Sequence, residues 1–357
     1  MAFLLLMALM ASGLTWLGTV VLCRWSPRLG LLDIPNDRSS HSQPTPRSGG
    51  LSFVLIWPLL TSVAALWSGT AMPPGTWALL LGGLLIALVS LMDDRWHLPA
   101  YVRFSAHVMG GLILLADGRM LREIVLPGEA VWLLGWLSVP ITLLWIVGLT
   151  NAYNFMDGID GLAAGQAVIV ATTLAWLAYV RAASGPALAM ATLAGAVWGF
   201  LLHNWPPARI FMGDVGSAYL GFTFAGWAVL SGATRSSALP FLAWVVVLAP
   251  FLFDTGVTLV SRIIRGQRWY EAHREHFYQR LIRQGWSHLA VTSLYIGVAA
   301  FLGLVVVAYY GYGRMTRAWF MAAIMLPLLG LVGLVWGAEV RTRWRSTTPS
   351  PTGRGQG

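Results

Sequence analysis

Two adjacent carboxylates, Asp93 and Asp94, end an apolar run in LVSLMDDRWHLP. Side by side at a helix C-terminus they repel each other and oppose the helix dipole. They make sense beside a divalent cation or a proton in transfer. The plainer alternative is a solvated helix end eased by Arg95. The diphosphate-binding pattern DDxxD is not met, because its fifth position is His97. A second cluster lies in NAYNFMDGIDGLA, where Asn151, Asn154, Asp157 and Asp160 recur at every third position. On an α-helix that spacing drifts by about 60° per step, so the four groups fan over half the circumference and do not share one face. Either the segment is irregular, which Gly158 and Gly161 permit, or its residues serve different ligands. Simple capping by Asn and Asp is the alternative. A third stretch, HNWPPARIFMGDVGSAYLG, holds Asp214 between Gly213 and Gly216. Glycine lets backbone approach a phosphate or metal closely, although Asp214 or Ser217 could equally be an N-cap.

The basic counterpart is WYEAHREHFYQRLIRQG. His273, His276, Arg280 and Arg283 follow i, i+3, i+7, i+10, which predicts one helical face. Phe277, Leu281 and Trp286 supply an apolar side. Such a helix at a membrane surface suits a lipid phosphate or a diphosphate, or merely lipid headgroups. HREH is not the HExxH of zinc proteases, and no third soft ligand lies near, so zinc is discounted. Residues 33–50 carry Asp33, Asn36, Arg38, His41 and Arg47 among three prolines and a Gly-Gly, too broken for a regular helix. Asp254 lies well inside an apolar run, with Arg262 eight residues on, about 12 Å along a helix axis. A structural ion pair and a substrate contact are both open for it. Carboxylates for Mg²⁺ together with arginines and histidines for phosphates, all beside apolar runs, point to phosphoryl transfer onto a lipid acceptor.

The elements that must position these residues are membrane helices. The chain is 57% hydrophobic and 10% charged, with a mean hydropathy of +0.68, whereas a soluble protein carries about a quarter charged residues. The predicted fold is an all-α polytopic membrane protein. Apolar runs near 3–23, 51–68, 77–92, 104–116, 130–149, 162–180, 187–202, 216–231, 238–261, 290–310 and 318–338 predict eleven spans, or ten if the short fourth one fails. All basic residues are arginine, and the net charge is +9. Threaded alternately, the loops on one side (24–50, 93–103, 150–161, 203–215, 262–289 and the tail) hold 17 arginines, against six on the other. The positive-inside rule then puts that side in the cytoplasm and the N-terminus outside. The same side collects Asp93, Asp94, Asp157, Asp160, Asp214 and six of the histidines. The basic balance is read as orientation and attraction to anionic lipid, so the bilayer is a partner and nucleic acid is not. The first run lacks a basic n-region and is expected to be retained rather than cleaved. Cys23 is the lone cysteine, so no intrachain disulfide forms. One transmembrane domain is expected over 1–340, with 341–357 a disordered basic tail.

With these pieces in view, the chain resembles the polyprenyl-phosphate N-acetylhexosamine-1-phosphate transferases. That family includes phospho-MurNAc-pentapeptide translocase and the enzymes that start bacterial O-antigen and enterobacterial common antigen. DIPNDRSSHSQPTPRSGG, LMDDR, NAYNFMDGIDGLA, RIFMGDVGS and HREHFYQRL carry the resemblance, in the family's order. It implies transfer of a sugar-1-phosphate from a UDP-N-acetylhexosamine to undecaprenyl phosphate in the bacterial inner membrane, with release of UMP. It further implies Mg²⁺, for which Mn²⁺ can substitute, held by Asn154 and Asp214. Asp93 and Asp94 match the family's paired aspartates, one the usual candidate for a base. Asp157 and Asp160, with Asn151, match its nucleotide loop, and His273 and His276 fall in its histidine-bearing loop. Arg103, ten residues after Asp93, is expected to contact a phosphate, as are His273, His276 and Arg280. HREHFYQRL departs from the three-histidine form of the peptidoglycan translocase and is more like the O-antigen initiators, which argues against a peptide-bearing muramyl substrate. A homodimer is compatible with this reading. Two rivals are weaker. The CDP-alcohol phosphotransferase signature is met only in its front half, since its required Arg is Gly165 here. A transporter or lipid flippase would keep its polar residues near the midplane, where only Asp254 and His107 lie.

Overall fold

A computed structural model describes residues 1–34, 44–128, 130–232, 239–268 and 274–347, with side chains to 340. It is helical apart from two short antiparallel ribbons. The helices are α1 (Ala2–Trp25), α2 (Leu51–Ser68), α3 (Thr76–Trp96), α4 (Ala100–Ala116), α5 (Ser138–Phe155), α6 (Leu162–Val180), α7 (Ser184–Asn204), α8 (Asp214–Gly232), α9 (Phe241–Val247), α10 (Ala249–Ile264), α11 (Phe277–Arg283), α12 (His288–Val306) and α13 (Arg317–Thr347). The ribbons pair β1 (Leu32–Asp33) with β2 (Thr45–Pro46), and β3 (Glu123–Val125) with β4 (Val131–Leu133).

The chain is a multi-pass membrane protein. Among the described residues, eight helical stretches are long and apolar enough to cross a bilayer, and α9 with α10 adds a ninth if a pair bent by 75° counts as one span. Their outer faces expose Leu9, Leu59, Leu144 and Leu304, a surface that water would not tolerate at this extent. α4, with 17 residues, and α8 fall short of that test. α8 falls short because of where it sits. Nearly every residue on it is buried, so Gly, Ser and Thr replace the Leu and Val that lipid would demand. Each of the eleven predicted apolar runs is largely helical, with one shift in register. The run at 130–149 begins in β4, and α5 starts at Ser138 and continues through Asn154. α13 runs on to Thr347, past residue 340, where the sequence reading ends the domain. Arginine is a good helix former and suits a helix C-terminus.

Backbone pairing brings distant loops together at one end of the bundle. Phe211 N–H donates to the Pro46 carbonyl, and the N–H groups of Gly49 and Gly50 donate to Phe211 and Met212, all at 2.8–2.9 Å. Gly50 and Gly216 cross so closely that a Cβ on either would strike the other's backbone. The start of α2 is thereby locked onto the start of α8.

Candidate active site

The paired aspartates have different partners. The Asp94 side chain is 0% exposed. It accepts from the Ser48 hydroxyl at 2.8 Å and from the backbone N–H groups of Asp214 at 2.9 Å and Val215 at 3.3 Å, and Arg47 Nε lies 3.0 Å away. Asp94 thus caps α8 from a neighbouring helix, where the dipole favours an anion. Gly213, with φ +75°, makes this approach possible, since a Cβ there would collide with Asp94 Oδ2. Asp93 accepts the Leu98 N–H at 2.6 Å, closing the turn between α3 and α4, and the Arg103 guanidinium at 2.9 Å.

Asp214 stands at the centre. Arg103 Nη1 reaches its Oδ2 at 3.2 Å and Arg47 Nη2 its Oδ1 at 3.3 Å. The Asn154 Nδ2 donates to Ser217 Oγ at 3.1 Å, on the first turn of α8 that Asp214 begins. Each carboxylate oxygen has two acceptor sites, so the two guanidinium groups leave Asp214 room for a further ligand. Asp157 follows α5 in the turn before α6 and is partly buried. Burial first, then the charge of Asp214, pushes its carboxyl up to about 8. No hydrogen bond from the described residues reaches its side chain.

The other predicted residues are placed as follows. Asn151, one turn before Asn154 on α5, donates to the Val147 carbonyl at 2.7 Å. Asp160 braces its loop: it accepts the Ala208 N–H at 3.0 Å, lies 3.4 Å from His288 Nδ1, and its carbonyl accepts the Thr292 hydroxyl at 2.8 Å. Asn151 and Asn154 are therefore helical while Asp157 and Asp160 belong to the turn, which divides the fan of polar groups between two elements. His276 is buried, stacked on Phe155 at 6.1 Å and Tyr278 at 6.0 Å. His273 lies outside the described residues. Over the described part of the basic stretch predicted at 273–283, His276 does not share a helical face with Arg280 and Arg283, because α11 starts only at Phe277 and His276 is its extended N-cap residue. Arg280 turns from the cluster to a side-on pair with Glu339 of α13, both contacts 2.8 Å. Sequence reasoning missed Ser48, and it offered Ser217 only as an N-cap, not as the acceptor of the Asn154 amide. The RSGG that ends the first loop was the available signal for Ser48, since a polar residue beside two glycines often marks close backbone approach.

A membrane-embedded helical body with acids and arginines gathered at one end is an arrangement suited to phosphoryl transfer, and the class of enzyme comes from comparison with known proteins. Residues 76–232 match the family model described as glycosyl transferase family 4. The chain is 31% identical over 284 residues to a probable undecaprenyl-phosphate N-acetylglucosaminyl 1-phosphate transferase of Bacillus subtilis, covering 78% of this chain and 77% of that one. It is 32% identical over 328 residues to a decaprenyl-phosphate N-acetylglucosaminephosphotransferase of Mycobacterium tuberculosis, covering 84% and 81%. It is also 32% identical over 296 residues to a phospho-N-acetylmuramoyl-pentapeptide-transferase of Synechococcus sp., covering 79% and 84%. The chain belongs to glycosyl transferase family 4, among the polyprenyl-phosphate sugar-1-phosphate transferases, and is a phosphotransferase.

Proposed function

We propose that this chain transfers an N-acetylhexosamine-1-phosphate from a UDP-sugar to undecaprenyl phosphate at the cytoplasmic face of the bacterial inner membrane. The lipid-linked product would start O-antigen or another cell-envelope polysaccharide. The observation that carries the reading is the grouping of Asp93, Asp214, Asn154 and Asp157 with Arg47 and Arg103 where apolar helices end. A lipid phosphate can ride at that depth while a water-soluble nucleotide sugar meets it. Taking α4, α8 and the bent α9–α10 pair as spans gives eleven, which places the termini on opposite sides. The arginine excess then puts the acidic cluster in the cytoplasm.

In the proposed reaction a lipid-phosphate oxygen attacks the β-phosphorus of the UDP-sugar. A new P–O bond forms, the bond from the β-phosphorus to the bridging oxygen breaks, and UMP leaves with that oxygen. The acceptor, a phosphate monoester with a second pKa of about 6, is mostly dianionic already. Asp93 therefore contributes chiefly by holding Arg103, which meets the acceptor phosphate. Asp157 and the Asp160-braced loop receive the donor, with Asn151 behind them, and His276 faces a phosphate.

The donor set fits Mg²⁺ or Mn²⁺. Asn154, Asp214 and Asp157 offer hard oxygens. Among the described residues no three His, Cys, Asp or Glu side chains stand close enough to form a cage, as suits a metal that keeps waters and takes substrate phosphates as ligands. Asn154 and Asp214 would hold the ion. When bound it supplies charge neutralisation on the diphosphate. Purified protein offered UDP-N-acetylhexosamines, polyprenyl phosphate and Mg²⁺ should release UMP and form a lipid-linked sugar. No UMP from any of these donors would refute the reading, and the best donor would identify the sugar.

A further inference from the structure

α10 is built inside-out. Its exposed side is Val257, Leu259, Val260, Ile263 and Ile264, while its buried side carries Asp254, Thr258 and Arg262. Two opposite charges eight residues apart on that face invite a mutual ion pair, yet each is spent elsewhere. Arg262 Nη1 donates to Glu275 Oε1 at 2.7 Å and Nη2 to the Arg268 carbonyl at 2.9 Å. Asp254, 0% exposed, accepts the N–H groups of Phe277 at 2.8 Å and Tyr278 at 3.3 Å and the Tyr295 hydroxyl at 2.6 Å. Its Oδ1 is also 3.4 Å from His276 Nδ1.

The residues gripped are 275, 277 and 278, the immediate neighbours of His276. Tyr278 extends the grip to the opposite wall, since its hydroxyl donates to the Phe155 carbonyl at 3.0 Å. It also packs so tightly on Gly158 that any Cβ there would strike the hydroxyl. His276 stacks between Tyr278 and Phe155, two residues before Asp157. Burying a carboxylate this deeply is costly unless its lone pairs are filled, and here they are filled by two backbone N–H groups of the segment that presents the histidine and by the Tyr295 hydroxyl of α12.

We propose that Asp254 is a positioning residue for the transfer reaction, fixing His276 against the Phe155–Gly158 loop, with Arg262 holding the other side of the same segment. The proposal rests on the reading of His276 as a phosphate contact.

Two measurements on the full-length protein in detergent test it. The first is the rate at which diethyl pyrocarbonate modifies His276, read by mass spectrometry. It should be slow in the wild type, faster in Tyr295→Phe, which removes one donor to Asp254, and fastest in Asp254→Asn. The second is UMP release. Asp254→Asn should lower kcat about 10- to 100-fold, as loss of an orienting partner does elsewhere. An Asp254→Asn/His276→Ala double variant should stay within about twofold of His276→Ala alone, because the two losses share one cause. Unchanged labelling, or losses that multiply in the double variant, would overturn the proposal. If the wild type releases no UMP from any UDP-N-acetylhexosamine, the functional reading falls, while the labelling still decides whether Asp254 holds His276.

Discussion

Ser48 Oγ donates to Asp94 Oδ2 at 2.8 Å across 46 residues of sequence. That bond, the Arg47 contact and two backbone N–H groups of α8 tie Asp94 to the start of the helix that carries Asp214. Asp93, its neighbour, is tied to Arg103 instead. The two carboxylates should therefore fail differently. Asp94→Ala strands buried donors, a loss of about 3–5 kcal/mol for a buried pair broken on one side. It should lower the thermal midpoint in detergent sharply. Asp93→Asn keeps an acceptor for Leu98 and should leave the midpoint near wild type while turnover drops. Equal midpoints for Asp94→Ala and wild type would show that Asp94 is not a fold element.

A pH dependence follows from Asp157. Its folded-state value, raised to about 8 by burial and by Asp214, exceeds the ordinary carboxylate value of about 4. Folding then favours the protonated form, so the contribution to stability is full below about pH 4 and is lost as pH rises through about 8. A divalent cation beside the carboxylate reverses that preference. Without Mg²⁺, the wild-type melting midpoint should fall from pH 5 to pH 8 by more than that of Asp157→Asn. Added Mg²⁺ should raise the wild-type midpoint more at pH 8 than at pH 5. Identical pH slopes for the two proteins would remove Asp157 from this account.

Topology is tested by reporter fusions. After Gly75 and after Gly232 they should report the periplasm, and after Arg345 the cytoplasm, because the proposed eleven spans would put the last of these on the arginine-rich side. A periplasmic signal from the C-terminal fusion would move the acidic cluster to the wrong face for a nucleotide sugar.

Much of this site was legible because hydropathy marks spans strongly and short acidic motifs interrupt them at their ends. Asp93, Asp94, Asn154, Asp157 and Asp214 could be picked out by type and place. Their division of labour could not. Adjacent residues such as Asp93 and Asp94 point about 100° apart on a helix, so which one meets α8 depends on tertiary packing. The basic stripe at 273–283 misled for a related reason. Its helical spacing is genuine, but Asp254 takes the N–H groups of Phe277 and Tyr278, so the helix begins only after His276. Ser48 bonds 46 residues away, and no local pattern signals a partner at that separation.

The final prediction separates acceptor from donor. Arg103 bridges Asp93 and Asp214 on the side of the α3–α4 turn, whereas Asp157 follows α5 in the loop that packs against Tyr278 and Asp160's partners. Arg103→Ala should chiefly raise the KM for polyprenyl phosphate or lower kcat, and leave the affinity for UDP-sugar within about threefold, because the proposed reaction gives Arg103 to the acceptor phosphate. Asp157→Ala should weaken UDP-sugar binding itself. Loss of a charge-assisted hydrogen bond costs about 1.5–3 kcal/mol, roughly 10- to 150-fold in Kd. Isothermal titration of each variant with UDP-sugar and Mg²⁺ measures this directly. Normal donor binding by Asp157→Ala, together with weak binding by Arg103→Ala, would reverse the assignment of the two loops.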